Sequence, residues 1–179
     1  GAVCAFEDAS AGGWQFVSLT TASGASSVAY ESLAVDTGFR IVMRGVTLSN
    51  DARMKLTIGT GGTPTYASDA YQYQSIRGSS TSVSTAGSDS SQAAILLDAS
   101  MDANDRSGFI EINDLGDANE FTWINSMMIG QAGGSSVECT DWGSGRLETT
   151  QIDNAIKITT SSGTISGEFA FYSRSMPNA

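Results

Sequence analysis

Between Ile152 and Arg174 the chain repeats with a period of two. Ile156 and Ile158 share one face, with Lys157 and Thr159 opposite; Phe169 and Phe171 share another, with Glu168 and Ala170 opposite. A helix needs a period near 3.6, so this alternation marks half-buried strands. Ser161-Ser162-Gly163 between them supplies turn chemistry, because glycine takes positive φ without steric cost. Gly167 marks a bulge or a close approach of two backbones. The expected unit is an antiparallel pair closing the chain, with Pro177 just beyond it. Its apolar face must be covered by strands that come earlier.

The same period recurs along the chain. Residues 1–13 read as irregular, and Trp14, Phe16 and Val17 open a first strand. Val28 and Tyr30 follow. Phe39, Ile41 and Met43 alternate with Arg40, Val42 and Arg44, and Met54, Leu56 and Ile58 with Lys55 and Thr57. Further strands are expected at Tyr71–Gln74, at Ala93–Leu97 and at Phe109–Ile112, where Glu111 and Asn113 lie opposite. Another runs from Phe121 and Trp123 to Ile129. Val137–Arg146 reads as a strand plus a Gly-rich turn containing Trp142. Residues 78–92 are almost wholly small and polar, and with no apolar face they read as a loop or mobile hairpin tip. No window of about eleven residues has helical period. Nine or ten short strands between turn clusters predict an all-β fold. The expected form is a single antiparallel β-sandwich, jelly-roll-like, spanning 1–179 as one domain.

A chain of 179 residues buries roughly 70% of its unfolded surface and needs no disulfide or metal to fold. Its net charge of −10, from 19 acidic and 9 basic residues, repels nucleic-acid phosphates and anionic membrane surfaces and favours solubility. Histidine is absent, which excludes Ser-His-Asp and Cys-His catalysis and His-ligated metals. Cys4 and Cys139 cannot make a zinc site alone. They are either two buried thiols or a long-loop disulfide, and sequence does not choose between these. No basic start followed by an apolar run marks a signal peptide, Ala2-Val3-Cys4 is a poor lipobox, and no segment has the length of a membrane span.

Few constellations carry chemistry. Asp98, Asp102, Asn104 and Asp105 lie within eight positions and offer oxygens to calcium, but the spacing is not that of an EF-hand. A solvated turn is the favoured reading there, and for Asp114 and Asp117. Paired carboxylates would be the minimum for a glycosidase, and no pair stands above the rest. Tyr66, Tyr71, Tyr73 and Trp142 are the aromatics nearest to loops. Sugar rings stack on such faces while neighbouring amides and carboxylates bond the hydroxyls. Core packing competes for these residues, since Tyr71 and Tyr73 share strand phase. No catalytic set and no cofactor site is expected.

The landmarks together resemble a β-sandwich module of tailed-phage virion proteins, found in tail-fibre, head-fibre and decoration contexts and in phage-like particles. They are Trp14-Gln15-Phe16-Val17, Ala25-Ser26-Ser27-Val28-Ala29-Tyr30, Phe39-Arg40-Ile41-Val42-Met43, and Met54 to Gly62 followed by Tyr71-Gln72-Tyr73. Gly108-Phe109-Ile110-Glu111-Ile112 is similar to the module's Gly-x-Ile/Val-Glu strand. The most specific match is the closing segment Ser162-Gly163-Thr164-Ile165-Ser166-Gly167-Glu168-Phe169-Ala170-Phe171-Tyr172. There Phe171 replaces the usual Leu, and Ser173 stands where Gly is common.

The resemblance implies a non-enzymatic structural protein on a virion surface, assembled in the host cytoplasm and then extracellular. It would be a capsid or tail decoration protein or a fibre protein in contact with host-surface polysaccharide. Its expected partners are other virion proteins and further copies of itself, in a trimer by analogy. The alternative is a secreted carbohydrate-binding module. A glycan depolymerase is disfavoured by the short length and the lack of a distinguished acidic pair.

Overall fold

The computed structural model describes residues 13–34, 37–79, 82–97, 105–131 and 138–175. Among them are thirteen strands and no helix. In chain order they are β1 (Gln15–Ala25), β2 (Ser27–Tyr30), β3 (Thr37–Leu48), β4 (Met54–Thr60), β5 (Thr65–Tyr66), β6 (Tyr71–Ser79), β7 (Val83–Gln92), β8 (Ile95–Leu96), β9 (Arg106–Asn113), β10 (Trp123–Gln131), β11 (Glu138–Leu147), β12 (Ala155–Thr160) and β13 (Ile165–Ser175). Eight form one sheet, in the order β1-β13-β3-β9-β10-β11-β6-β7. The smaller sheet runs β2-β12-β4-β5, with β8 also on β4. Every pairing is antiparallel.

The two sheets form a β-sandwich. The larger contributes Ile41, Met43, Ile110, Ile112, Phe169 and Phe171 to the core; the smaller contributes Val28, Tyr30, Leu56, Ile58, Ile156 and Ile158. Burying each such side chain is worth about 1.5–3 kcal/mol. Tyr30 stacks on Phe171 with ring centroids 4.3 Å apart, and its hydroxyl reaches the Phe169 carbonyl at 3.2 Å. One contiguous cluster of buried side chains draws on both sheets.

The expected closing hairpin does not form. β12 lies in the smaller sheet between β2 and β4, whereas β13 lies in the larger between β1 and β3. Ile156 and Ile158 therefore approach the core from the side opposite Phe169 and Phe171. Period-two alternation fixes which face of a strand is buried; it does not fix the partner. The turn residues build an arch between sheets, laid against the β3–β4 connection. Ser161 N–H donates to the Arg53 carbonyl (2.9 Å), Arg53 N–H to Ser161 Oγ (3.0 Å), and Thr164 N–H to Ser49 Oγ (2.9 Å). Gly163 sits at φ +78° and Gly167 at φ +140°. A Cβ on Gly167 would lie 2.8 Å from Val46 Cα, so it is the close approach expected there.

Residues 78–92 depart from the expected loop. β7 occupies most of that stretch and pairs with β6, forming one edge of the larger sheet. Val137–Arg146 resolves into the single strand β11 over Glu138–Leu147.

Candidate functional site

The outward face of the larger sheet carries most of the exposed apolar side chains. The register defines its rows. Leu19 pairs with Ala170, Ala170 with Val42, Val42 with Phe109, Phe109 with Met127, Met127 with Trp142, and Trp142 with Ile76. This uncharged row crosses seven strands, and Leu19, Val42, Trp142 and Ile76 on it are exposed. The next row is polar: Arg40, Glu111, Asn125, Ser144 and Gln74. Beyond it run Asn113, Trp123, Arg146 and Gln72.

Two grooves meet on this face. One, of about 480 Å³, is bordered by Phe109, Met127, Trp142 and Ile76. The other, of about 360 Å³, is bordered by Trp123, Arg146 and Gln72. They share Gln74 and Ser144, so together they make one trough. Trp142 and Trp123 stand at its two sides, 52% and 44% exposed. Four residues of strand and one strand spacing separate them, roughly 14 Å. Asn125, Ser144 and Gln74 are exposed on the floor, and their side chains have no partner among the described residues.

The charges beside the trough are paired. Arg40 Nε donates to Glu111 Oε1 at 2.8 Å, and the Arg40 Nη2 group meets the same oxygen. Arg146 lies 3.6 Å from Glu148 and stacks over Phe121 (4.8 Å) and Trp123 (5.6 Å). Trp14 sits between Arg40 and Arg174, 4.5 and 4.6 Å from its ring, and Arg174 donates to Asn113 Oδ1 at 3.1 Å. These contacts hold the rim while the floor offers neutral donors and acceptors.

Of the four aromatics singled out in the sequence, Tyr73 and Trp142 line the trough, and Trp142 presents the more open ring. Tyr71 is wholly buried, and its hydroxyl accepts from Ile58 N–H at 2.6 Å and donates to the Ile58 carbonyl at 3.3 Å. It offers no face to a ligand, so its expected glycan role is corrected to a core one. Tyr73 shares its inward phase and packs half-buried against the core. Tyr66 lies on the smaller sheet. Its ring covers Gly59, and Lys157 Nζ stands 3.6 Å from its centroid. Its hydroxyl donates to Glu31 at 3.1 Å, and partial burial, reinforced by that carboxylate, pushes its pKa up to about 12.

Trp123, Asn125, Ser144 and Gln74 escaped the sequence reading. Their signal was strand phase: in β10, Trp123 and Asn125 alternate with the buried Ile124, Ser126 and Met128. Met127 and Ile129 share the outward phase, so apolarity alone does not tell the faces apart.

Elsewhere, Cys139 is buried, with Sγ 3.5 Å from the Gly130 carbonyl; Cys4 lies outside the described residues, and so does its pairing. Asp98, Asp102 and Asn104 also lie outside them. Asp117 Oδ1 accepts from Asn119 N–H at 2.7 Å, closing a turn. Among the described residues no group of three or more Cys, Asp or Glu is placed to hold a metal. In comparisons with known proteins, no family model, no curated protein and no solved structure matched this chain.

Proposed function

We propose that this chain is a non-enzymatic contact protein of a virion surface, and that the trough binds host-surface glycan. The observation that carries the binding reading is the pair of exposed indoles flanking amide and hydroxyl groups that have no partner among the described residues. Indole faces bind the apolar face of a sugar ring, and carboxamides match hydroxyls that both donate and accept. The trough floor is neutral apart from the paired Glu111, which favours uncharged sugar units over anionic ones. The virion setting rests on the family resemblance alone. A secreted carbohydrate-binding module would use the same trough.

The test is retention on immobilised host-envelope polysaccharide. Trp142→Ala is expected to weaken binding by roughly ten- to a hundredfold, the usual scale for an aromatic anchor. Equal retention of variant and parent would refute the reading. No new reducing ends are expected on prolonged incubation.

A second reading has its own observation. The apolar row from Leu19 to Ile76 is uncharged and crosses seven strands, and contiguous exposed apolar surface of this kind marks protein-contact sites. It suits docking on a capsid or tail protein. A decoration protein of this kind binds assembled particles and ignores soluble polysaccharide.

A further inference from the structure

Among the described strands, β1 forms one edge of the larger sheet and pairs on one side only, with β13. Sheet edges expose unpaired N–H and C=O groups, and proteins usually blunt them with lysine, proline, inward-pointing charge or a covering segment. Gln15–Ala25 contains no charged residue and no proline. Phe16, Val17 and Leu19 on it are 61%, 53% and 54% exposed. Register shifts at Phe16/Ser18 and Ala22/Ala25 bracket the regular segment Ser18–Ala22, whose outer edge pairs with no other described strand.

We propose that this edge pairs with β1 of a second copy of the chain, antiparallel about a two-fold axis, so that two eight-stranded sheets continue into one. Three features select a copy of the chain as the occupant. Antiparallel pairing of identical edges is self-complementary and closes as a dimer. A protein with net charge −10 repels its own copies, and β1 is a charge-free place for them to meet. The apolar row that ends at Leu19 also continues across the seam: centred on Thr20, the pairing sets Leu19 opposite Thr21 of the other copy and diagonal to its Leu19. The other edge is less suited: β7 carries Asp89 among serines, and pairing β1 with β7 would leave open edges and grow into fibres. The inference is independent of what the trough binds. It places both troughs on the same side of the joined sheet, so a multivalent surface would meet two at once.

Sedimentation velocity across the micromolar range, with hydrogen exchange at low and high protein concentration, tests it. The expected result is a concentration-dependent dimer in which alternate amides of Ser18–Ala22 gain protection as it forms. Leu19→Lys, at an exposed position, should weaken association by roughly tenfold or more while near-UV circular dichroism is unchanged. Val83→Lys on the β7 edge should leave association as it was. A monomer throughout, a trimer, fibres, or a dimer whose β1 amides exchange as fast as the monomer's would each overturn the proposal.

Discussion

Asp153 is wholly buried, with Thr122 Oγ1 donating to its Oδ2 at 3.1 Å and Gln151 Nε2 to its Oδ1 at 2.7 Å. Burial raises its pKa above the ordinary 3.8, and these two bonds offset part of the rise. A carboxyl whose folded pKa is raised favours folding in its protonated form. That contribution is full below the unfolded value and is lost as pH rises through the folded one. Asp153→Asn removes the titration and keeps the shape. Urea midpoints should show the variant gaining on the parent as pH rises above 3.8, then a constant difference above the folded pKa. A difference that does not change with pH would refute this. At this scale the sequence was only partly legible. The inward phase shared by Tyr71 and Tyr73 was readable from their spacing. That Trp142 faces solvent and Tyr66 is held under a lysine depends on neighbours far along the chain.

The strands of strongest alternation lie where their pattern puts them. Phe39, Ile41 and Met43 are buried, as are Met54, Leu56 and Ile58. Partners were not readable, and the arch between β12 and β13 shows why. Its local chemistry, two serines and a glycine, suits a tight turn within one sheet and a crossing between two equally well. What selects the crossing is the β3–β4 connection beside it, more than a hundred residues earlier in the chain. β7 was missed for a different reason. As an edge strand it is held by backbone bonds to β6, and its small polar side chains leave no apolar period to detect. Gly167 tests how closely β13 and β3 are matched. Gly167→Ala places a Cβ against Val46 at a backbone angle L-residues rarely adopt, and should cost about 3 kcal/mol or more by denaturant titration. A loss below about 1 kcal/mol would mean that the bulge relaxes freely.

Across the whole molecule, the sheet interleaves the start and the end of the chain. β13, the last strand, lies between β1 and β3, and its Phe169 and Phe171 fill the core. The large sheet therefore cannot close until that strand is present. A chain ending at Thr164 should stay unfolded by circular dichroism and be digested rapidly by protease, and a cooperative melt from such a chain would contradict the topology. A sandwich class was legible from periodicity, whereas this interleaving was not, because each strand carries the same two-faced pattern wherever it is placed.

Gln15 stands opposite Ser173 in the pairing of β1 with β13. The first and last strands thus leave the sheet side by side and from the same end. Tension applied between the two would part them like a zip, one bond at a time, instead of loading the whole ladder at once. A fold connected this way hangs securely from a single attachment and yields early when stretched between two.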